Sequence, residues 1–284
     1  MAEEEIKESE EETAENTKEA EEVSEEEIKK IIVEKIVGKD VAEKSVAELE
    51  KERLFEQERR RVDEGLARWQ PKTMLGKQVK EKKITDIDAI LDKHKILEAE
   101  IVDTLLDLKT DLLLIGQAKG KFGGGKRRAW RQTQKKTKEG NVPTFACLAV
   151  AGDGNGHIGM GYGRAKETLP GRTKALRDSK LKIMKINRGC GSFDCLCGEK
   201  HSVPFRVNGR CGSLNVTLIP APQGTGLVVG DEMKKILRLA GIKDVYGKTF
   251  GQTRSTINLA KACMAALKQT TEINDPREIG RKKK

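Results

Sequence analysis

The sequence predicts an α+β body of two domains behind an acidic extension. Three observations predict it: a charge balance that changes sign along the chain, glycine-punctuated strand patterns in its middle, and amphipathic helical spacing in its last third. At 284 residues there is room for about two domains of roughly 100–200 residues each. Charged residues make up 35% and aromatics 4%, with a formal net charge of +10. Residues 1–30 hold fourteen Glu against four Lys, a local net of −10, so the other 254 residues carry +20. A surplus of that size points to a polyanion. No run approaches the ~18 apolar residues of a membrane span, so no membrane partner is expected. Met1 is followed by Ala2 and a Glu run with no apolar leader, which makes the cytoplasm the expected compartment.

The elements follow in order. Residues 1–30 have too little apolar surface to offset chain ordering and are expected to be a disordered acidic tail. Residues 31–68 read as a charged, solvated helical extension, begun by Ile28, Ile31, Ile32 and Ile36 at helical spacing. Trp69-Gln70-Pro71 breaks that pattern, because the residue before a proline is pushed out of the helical region. A domain is expected to begin there and to run over residues 69–187. Ile84 to Leu108 reads as helical segments with Ile101, Leu105 and Leu108 on one face, and Asp111 to Gly116 as a short strand.

Lys119 to Lys138 holds nine basic residues and no acid: Lys119, Lys121, Lys126, Arg127, Arg128, Arg131, Lys135, Lys136 and Lys138. Gly123-Gly124-Gly125 and Trp130 interrupt it. Such a loop repels itself in isolation, whereas phosphates neutralise it and release counterions, so RNA contact is expected. Phe145 to Val150 suits a buried strand, Gly152-Asp153-Gly154-Asn155-Gly156 a tight turn, and His157 to Gly163 a second strand whose glycines admit another backbone. A helix from Pro170 to about Ile186 carries Arg172, Lys174, Arg177, Lys180, Lys182 and Lys185 on its polar side.

Residues 188–202 form a Cys/His loop. In it Cys190, Cys195, Cys197 and His201 make a C-x4-C-x-C-x3-H set, with Gly189, Gly191 and Gly198 freeing the backbone to wrap an ion. Three thiolates and one imidazole match a closed structural zinc site. Reduced, unligated cysteines and loop residues touching RNA remain the alternatives, since the spacing departs from the commoner C-x2-C pairs. His94 and His157 stand apart from other ligands, and Cys147, Cys211 and Cys263 lie in core-like runs.

The second domain, residues 203–271, opens on Leu214, Val216 and Leu218 alternating with Asn215 and Thr217, a half-buried strand. Met233, Ile236, Leu237 and Ala240 define an amphipathic helix that Gly241 stops. Val245 to Phe250 is a strand, and Ile257, Ala260, Met264 and Leu267 line a last helix before a basic tail at residues 272–284. Gly154-Asn155-Gly156-His157-Ile158-Gly159 fits a dinucleotide-binding glycine pattern, but strand-like sequence follows where a helix is needed, so amides offered to RNA phosphates are the better account. Gly224 and Gly226 precede a helix and invite a phosphate-transferring reading, yet no lysine with Ser/Thr completes a Walker signature. No catalytic set emerges, so neither an enzyme nor a small-molecule substrate is expected.

Gly152 to Glu167, read as GDGNGHIGMGYGRAKE, resembles the universal small-subunit ribosomal protein five family. The likeness extends through Arg210-Cys211-Gly212-Ser213, Ile219-Pro220-Ala221-Pro222, Gly224-Thr225-Gly226, Ala240 to Val245 and Asn258 to Ala262, and covers roughly Trp69 to Thr271. Trp69 to Gly76 and Arg188 to Ser192 resemble the archaeal branch. The resemblance implies a double-stranded-RNA-binding-like N-terminal domain and a β-α-β C-terminal domain. It also implies a structural role on small-subunit ribosomal RNA near the messenger entry path, beside ribosomal proteins four and eight, with an influence on decoding accuracy. By position it puts Asp153, Asn155, Gly159, Gly161 and Arg164 against RNA, together with the basic loop; on charge alone, Lys166 and the helix at Arg172 and Lys174 are expected to neutralise phosphates as well. Lys119 to Asn141 is longer and richer in glycine than the family pattern, and the segment before Trp69 is extra. A double-stranded-RNA-binding regulator acting away from the ribosome is the competing expectation.

Overall fold

Short helices, two antiparallel-dominated sheets and two longer helices make up the structure, a computed structural model that describes residues 65–91, 93–118, 127–195 and 197–272. The acidic tail, the extension up to residue 64, the loop segment with Lys119, Lys121 and Lys126, and the tail from residue 273 lie outside those residues; residues 65–68 are helical.

Helices α1 (Met74–Lys80), α2 (Ile87–Leu91) and α3 (Ala99–Leu105) come first. Thr73 caps α1, its hydroxyl accepting the Gly76 amide at 3.0 Å. Glu98 ties the entry together: its carboxylate accepts the indole N–H of Trp69 at 2.9 Å and the amides of Lys72 and Thr73 at 2.9 and 2.7 Å. Burial works against the charge on Glu98, but those donors prevail and hold its carboxyl below the usual range. Val79, Ile87, Ile90, Ile96, Ile101 and Val102 close a small core. Leu108 corrects an expectation. The helix ends at Leu105 because Leu106 is already extended, and Leu108 joins that core from the following loop.

The first sheet holds β1 (Lys109–Leu112), β2 (Trp130–Thr137), β3 (Gly140–Gly152), β4 (His157–Ala165) and, after helix α4 (Thr168–Leu181), the short β5 (Ile183–Lys185). All its pairings are antiparallel. Strands β1 and β2 lie end to end along one edge of β3: Leu112 faces Ala149 and Trp130 faces Cys147. The basic segment therefore leaves that edge after Leu112 and rejoins it at Trp130. The predicted strand from Asp111 keeps only its first two residues in the ladder; the Leu113 amide adds one bond to Leu148 at 3.0 Å, and Leu113 and Ile115 turn into the core.

Two further expectations are corrected. Eight of the twenty residues from Lys119 to Lys138 are strand β2, which carries Arg131, Lys135 and Lys136. Its sequence has no apolar alternation because most of it is an exposed edge, where lysines keep a second chain from pairing. The helix stops at Leu181, not near Ile186, because Ile183 to Lys185 pair with β4 instead. The glycines of β4 behave as expected. A Cβ on Gly159, Gly161 or Gly163 would lie 2.1–2.2 Å from backbone atoms of Ser179, Ala175 or Gly171, so α4 rests directly on that strand.

The second sheet holds β6 (Val207–Cys211), β7 (Leu214–Pro220), β8 (Leu227–Val228) and, after helix α5 (Asp231–Leu239), β9 (Val245–Phe250), in the order β6-β7-β9-β8; helix α6 (Thr256–Glu272) follows. Only β8 and β9 are parallel, and α5 connects them. The alternation of Leu214, Val216 and Leu218, the α5 stripe and the α6 stripe all reach one core. Strand β6 escaped the sequence reading because Gly209 interrupts it; a Cβ there would sit 2.0 Å from the Ala262 carbonyl of α6. The core is shared. Leu148, Val150 and Ile158, on the face of the first sheet away from α4, pack in the same cluster as Leu218, Ile236 and Leu237. Among the described residues no helix is long and apolar enough to cross a membrane.

Candidate nucleic-acid interface and metal centre

Residues opposite one another in an antiparallel ladder face the same side. One face of the first sheet, with Cys147 and Ala149, lies under α4. The other carries Arg131, Thr133 and Lys135 of β2, Thr144 and Ala146 of β3, and Tyr162 and Arg164 of β4. Its upper half is covered by the second domain through Leu148 and Val150, and its lower half is open. On that open face the Arg164 guanidinium donates to the Thr144 hydroxyl at 2.9 Å, and Thr144 and Thr133 are hydrogen-bonded at 2.8 Å. The ladder holds Arg164 in place between strands, with exposed Arg131 and Lys135 beside it. Strands β2, β3 and β4 carry no acidic residue; the one acid of this face, Asp111 of β1, lies opposite Val150 at its covered end and pairs with Lys235 at 3.3 Å.

Around the sheet edge runs a cleft of about 1100 Å³, lined by Arg127, Arg128, Arg131, Arg254, the main chain of Gly116 and Thr256 at the start of α6. The first turn of α6 has no acid, so its free amides add to the positive field. Arg254 was missed by the sequence reading; only the tertiary fold brings it beside Arg127. Lys136 points to the opposite side of β2 from Lys135.

On α4, Arg172 lies 5.6 Å from the centre of the Trp130 ring, a cation–π contact. Lys174 is exposed, as is Lys166 just before the helix. The rest of the predicted basic face is partly neutralised: Lys180 pairs with Asp103 at 2.7 Å and Lys182 with Asp178 at 2.6 Å. Lys185, on β5, pairs with Asp88 at 2.6 Å.

Three expected contact residues turn inward. Gly159 and Gly161 are buried under α4, and their lack of a side chain serves the helix. The Asp153 side chain is 7% exposed and accepts the amides of Asn155 and His157 at 2.7 and 3.0 Å, while the Gly154 amide donates to Leu239. The amides of Asn155 and His157, expected to meet phosphates, are thus taken up within the turn, and that of Gly154 by α5. Only Asn155 of that group is exposed. His157 sits between Asp153 at 2.6 Å and Asp88 at 2.8 Å. The hydrogen bond that the His157 ring donates to Asp153 raises its pKa above the ordinary value of 6.5, burial opposes the rise and Asp88 supports it.

The glycine loop before α5 is no phosphate cradle. The Gly226 amide donates to Asp244 at 2.8 Å, and Asp231 and Glu232 occupy the first turn of the helix, where they repel an anion.

The Cys/His loop is drawn together. Its ends pair through Gly189 and Ser202, with amide-to-carbonyl distances of 2.8 and 2.9 Å. The sulfurs of Cys190, Cys195 and Cys197 and a ring nitrogen of His201 all lie within 4.8 Å of one another, an arrangement able to hold a metal ion. Cys195 Sγ is 3.2 Å from Cys197 Sγ and 3.7 Å from His201 Nε2. Tetrahedral zinc–thiolate bonds of ~2.3 Å would set donors roughly 3.8 Å apart, so the set fits with small adjustment. His201 is 3% exposed, and its Nδ1 is 2.8 Å from Asp244 Oδ2, which orients Nε2 towards the sulfurs. A carboxylate behind the ring is the usual partner of a ligating histidine. The amides of Cys197 and Gln223, with the neighbouring thiol, draw Cys195 down to about 6. Cys197 gains from the Glu199 amide, but the adjacent Cys195 sulfur and burial leave it up at about 11. Cys263 is pushed up to about 12 by burial, an inert core thiol.

Comparison with known proteins covers both domains. Residues 129–187 match the family model of the ribosomal protein S5 N-terminal domain, and residues 209–282 that of the S5 C-terminal domain. The chain is 48% identical over 207 residues to small ribosomal subunit protein uS5 of Nanoarchaeum equitans, covering 72% of this chain and 89% of that one. Against uS5 of Staphylothermus marinus it is 46% identical over 215 residues, 75% of this chain and 94% of the other. Against uS5 of Methanocaldococcus jannaschii the figures are 46% over 202 residues, 70% and 86%.

Proposed function

The chain belongs to the ribosomal protein S5 family, and from that premise we propose that it is a structural, non-catalytic constituent of the small ribosomal subunit in the cytoplasm, bound to small-subunit ribosomal RNA. The observation that carries the RNA contact is the open, acid-free sheet face with Arg131, Lys135 and Arg164, continued by the arginine-lined cleft. Cations spread over a flat face, with Arg164 fixed by Thr144, suit the phosphates and 2′-hydroxyls of folded RNA more than base edges, so shape supplies the specificity. The family likeness supports residues 69–187 as a double-stranded-RNA-binding-like domain and residues 203–271 as a β-α-β domain. Ribosomal proteins four and eight are the proposed neighbours, and decoding accuracy the step the protein influences.

The Cys/His loop takes one structural zinc ion, held by Cys190, Cys195, Cys197 and His201, with Asp244 behind the ring. Zinc supplies a cross-link that a short loop cannot make from its own apolar surface. Protein purified without added metal should contain one zinc per chain, and its Cys190, Cys195 and Cys197 should resist thiol reagents until a chelator is added. Fast labelling of all three in native, folded protein contradicts the site.

The interface is tested by ultraviolet crosslinking in ribosomes from the host. Crosslinked peptides should contain Arg131, Lys135 or Arg164. Crosslinks confined to α5 and β9 would refute this face.

A further inference from the structure

A second basic recess lies at the junction of the two domains, at the turn of the β3–β4 hairpin, the opposite end from Ala146 and Arg164. It encloses about 810 Å³, between the turn at Asn155, the Cys/His loop at Lys200 and His201, and the second domain at Lys234, Arg238 and Lys243. We propose that this recess is a further RNA-phosphate site, and that metal in the Cys/His loop strengthens it. This rests on the RNA-binding reading above and deepens it.

Charge is the first argument. Arg188, Lys200, Lys234, Arg238 and Lys243 line the recess against one carboxylate, Glu199. Lys200, Arg238 and Lys243 are exposed and make no ion pair among the described residues, and Lys234 reaches only the exposed Asp231 at 3.5 Å. A folded chain gains nothing from such crowding unless an anion neutralises it. Fixed geometry is the second argument. The Arg188 guanidinium donates to the carbonyls of Gly154, Gly241 and Asn155 at 3.0, 3.1 and 2.8 Å, so its charge is locked at the rear of the recess and cannot swing to a surface partner. No Phe, Tyr or Trp ring lines it; its apolar side chains are Leu227 and the buried Ile242. Without such a ring to stack on, phosphate is favoured over a base.

The link to the metal runs through His201. Its Nδ1 meets Asp244, the same carboxylate accepts the Gly226 amide, and its carbonyl accepts the Lys243 amide at 2.8 Å. Lys200 stands between the ligand residues Cys197 and His201 in the chain. Holding His201 by its Nε2 therefore fixes two sides of the recess at once. Phosphate binding and metal affinity are then coupled in both directions.

The test uses the full chain, zinc-loaded or chelated, with small-subunit ribosomal RNA transcribed in vitro as the probe. The triple variant Lys200→Ala/Arg238→Ala/Lys243→Ala changes only exposed side chains, and its melting point should equal that of the parent. Its RNA affinity should fall by roughly tenfold or more near 0.15 M salt, with a shallower salt dependence, since each lost phosphate contact removes about 0.7–0.9 from the slope. Chelation should weaken the parent and leave the triple variant little changed. Inorganic pyrophosphate is the small-anion arm: competition with RNA that the triple variant abolishes supports the site. If the triple variant and the parent bind RNA alike while Arg131→Ala/Lys135→Ala weakens binding, this recess is excluded and the sheet face stands. If Arg131→Ala/Lys135→Ala is also without effect, the RNA reading itself fails. Equal losses on chelation in parent and triple variant would overturn the coupling.

Discussion

Replacing Gly161 by alanine distinguishes a glycine that admits a helix from one that admits RNA. The added Cβ would lie 2.1 Å from the Ser179 amide nitrogen and 2.2 Å from the Ala175 carbonyl oxygen, both backbone atoms of α4. Ordinary contact begins near 3.4 Å, so the helix must retreat by more than about 1 Å along much of its length, and neither atom can rotate away. Overpacking of this kind costs about 1–3 kcal/mol, occasionally more. The retreat also opens a gap between Ala175 of α4 and the strand residues Cys147 and Ala149, which the helix now covers. The upper part of that range is therefore expected, about 2–3 kcal/mol. In a chain of this size each kcal/mol moves the melting point by roughly 2–4 °C, giving a fall of roughly 4–12 °C. Differential scanning calorimetry on the full chain reads it. Gly171→Ala in α4 serves as the control, because a Cβ there meets nothing closer than the Phe145 carbonyl oxygen at 3.6 Å and the position is helical. If Gly161→Ala melts within a degree or two of the parent and instead loses RNA affinity, the packing argument is wrong and the glycine faces the ligand.

Two other perturbations follow from the same geometry. His157 has a raised pKa in the folded chain, so the stability it contributes is full below about 6.5 and is lost as pH rises through the folded value; Asp88 and Asp153, held low, contribute in the opposite sense below their ordinary range. Melting points of the parent should fall from pH 6 to pH 8 more steeply than those of His157→Gln, and equal slopes would show that the clamp between Asp153 and Asp88 is not charged. On the open sheet face, Arg131→Ala/Lys135→Ala/Arg164→Ala should reduce the salt slope of ribosomal RNA binding by about 2–3, whatever the RNA sequence. Parallel slopes for parent and variant would remove that face from the interface.

The helices α5 and α6 and strand β7 were legible because their apolar residues repeat at one period and meet a single core, whereas β9 puts only Val245 into that core and was legible from its strand-forming residue types. The glycines of β4 announced a close backbone, and the structure supplies α4. Strand β2 was not legible, since an exposed edge built from Arg, Gln, Thr and Lys carries no burial signal and is defined by its register on β3. Residues Ile183 to Lys185 misled for a related reason: a basic helix running into a short β-branched strand has no glycine or proline between them to mark the change. The metal-ligand set could be read from spacing, whereas Asp244, 43 residues beyond His201, could not. Nor could Arg254 or the recess around Arg188, because both are assembled only when the two domains share their core.

Sedimentation of the native chain from its host through a sucrose gradient at moderate salt tests the central claim most directly. The account predicts comigration with the small subunit and with full ribosomes at one copy per subunit, and a signal confined to the light fractions would contradict it.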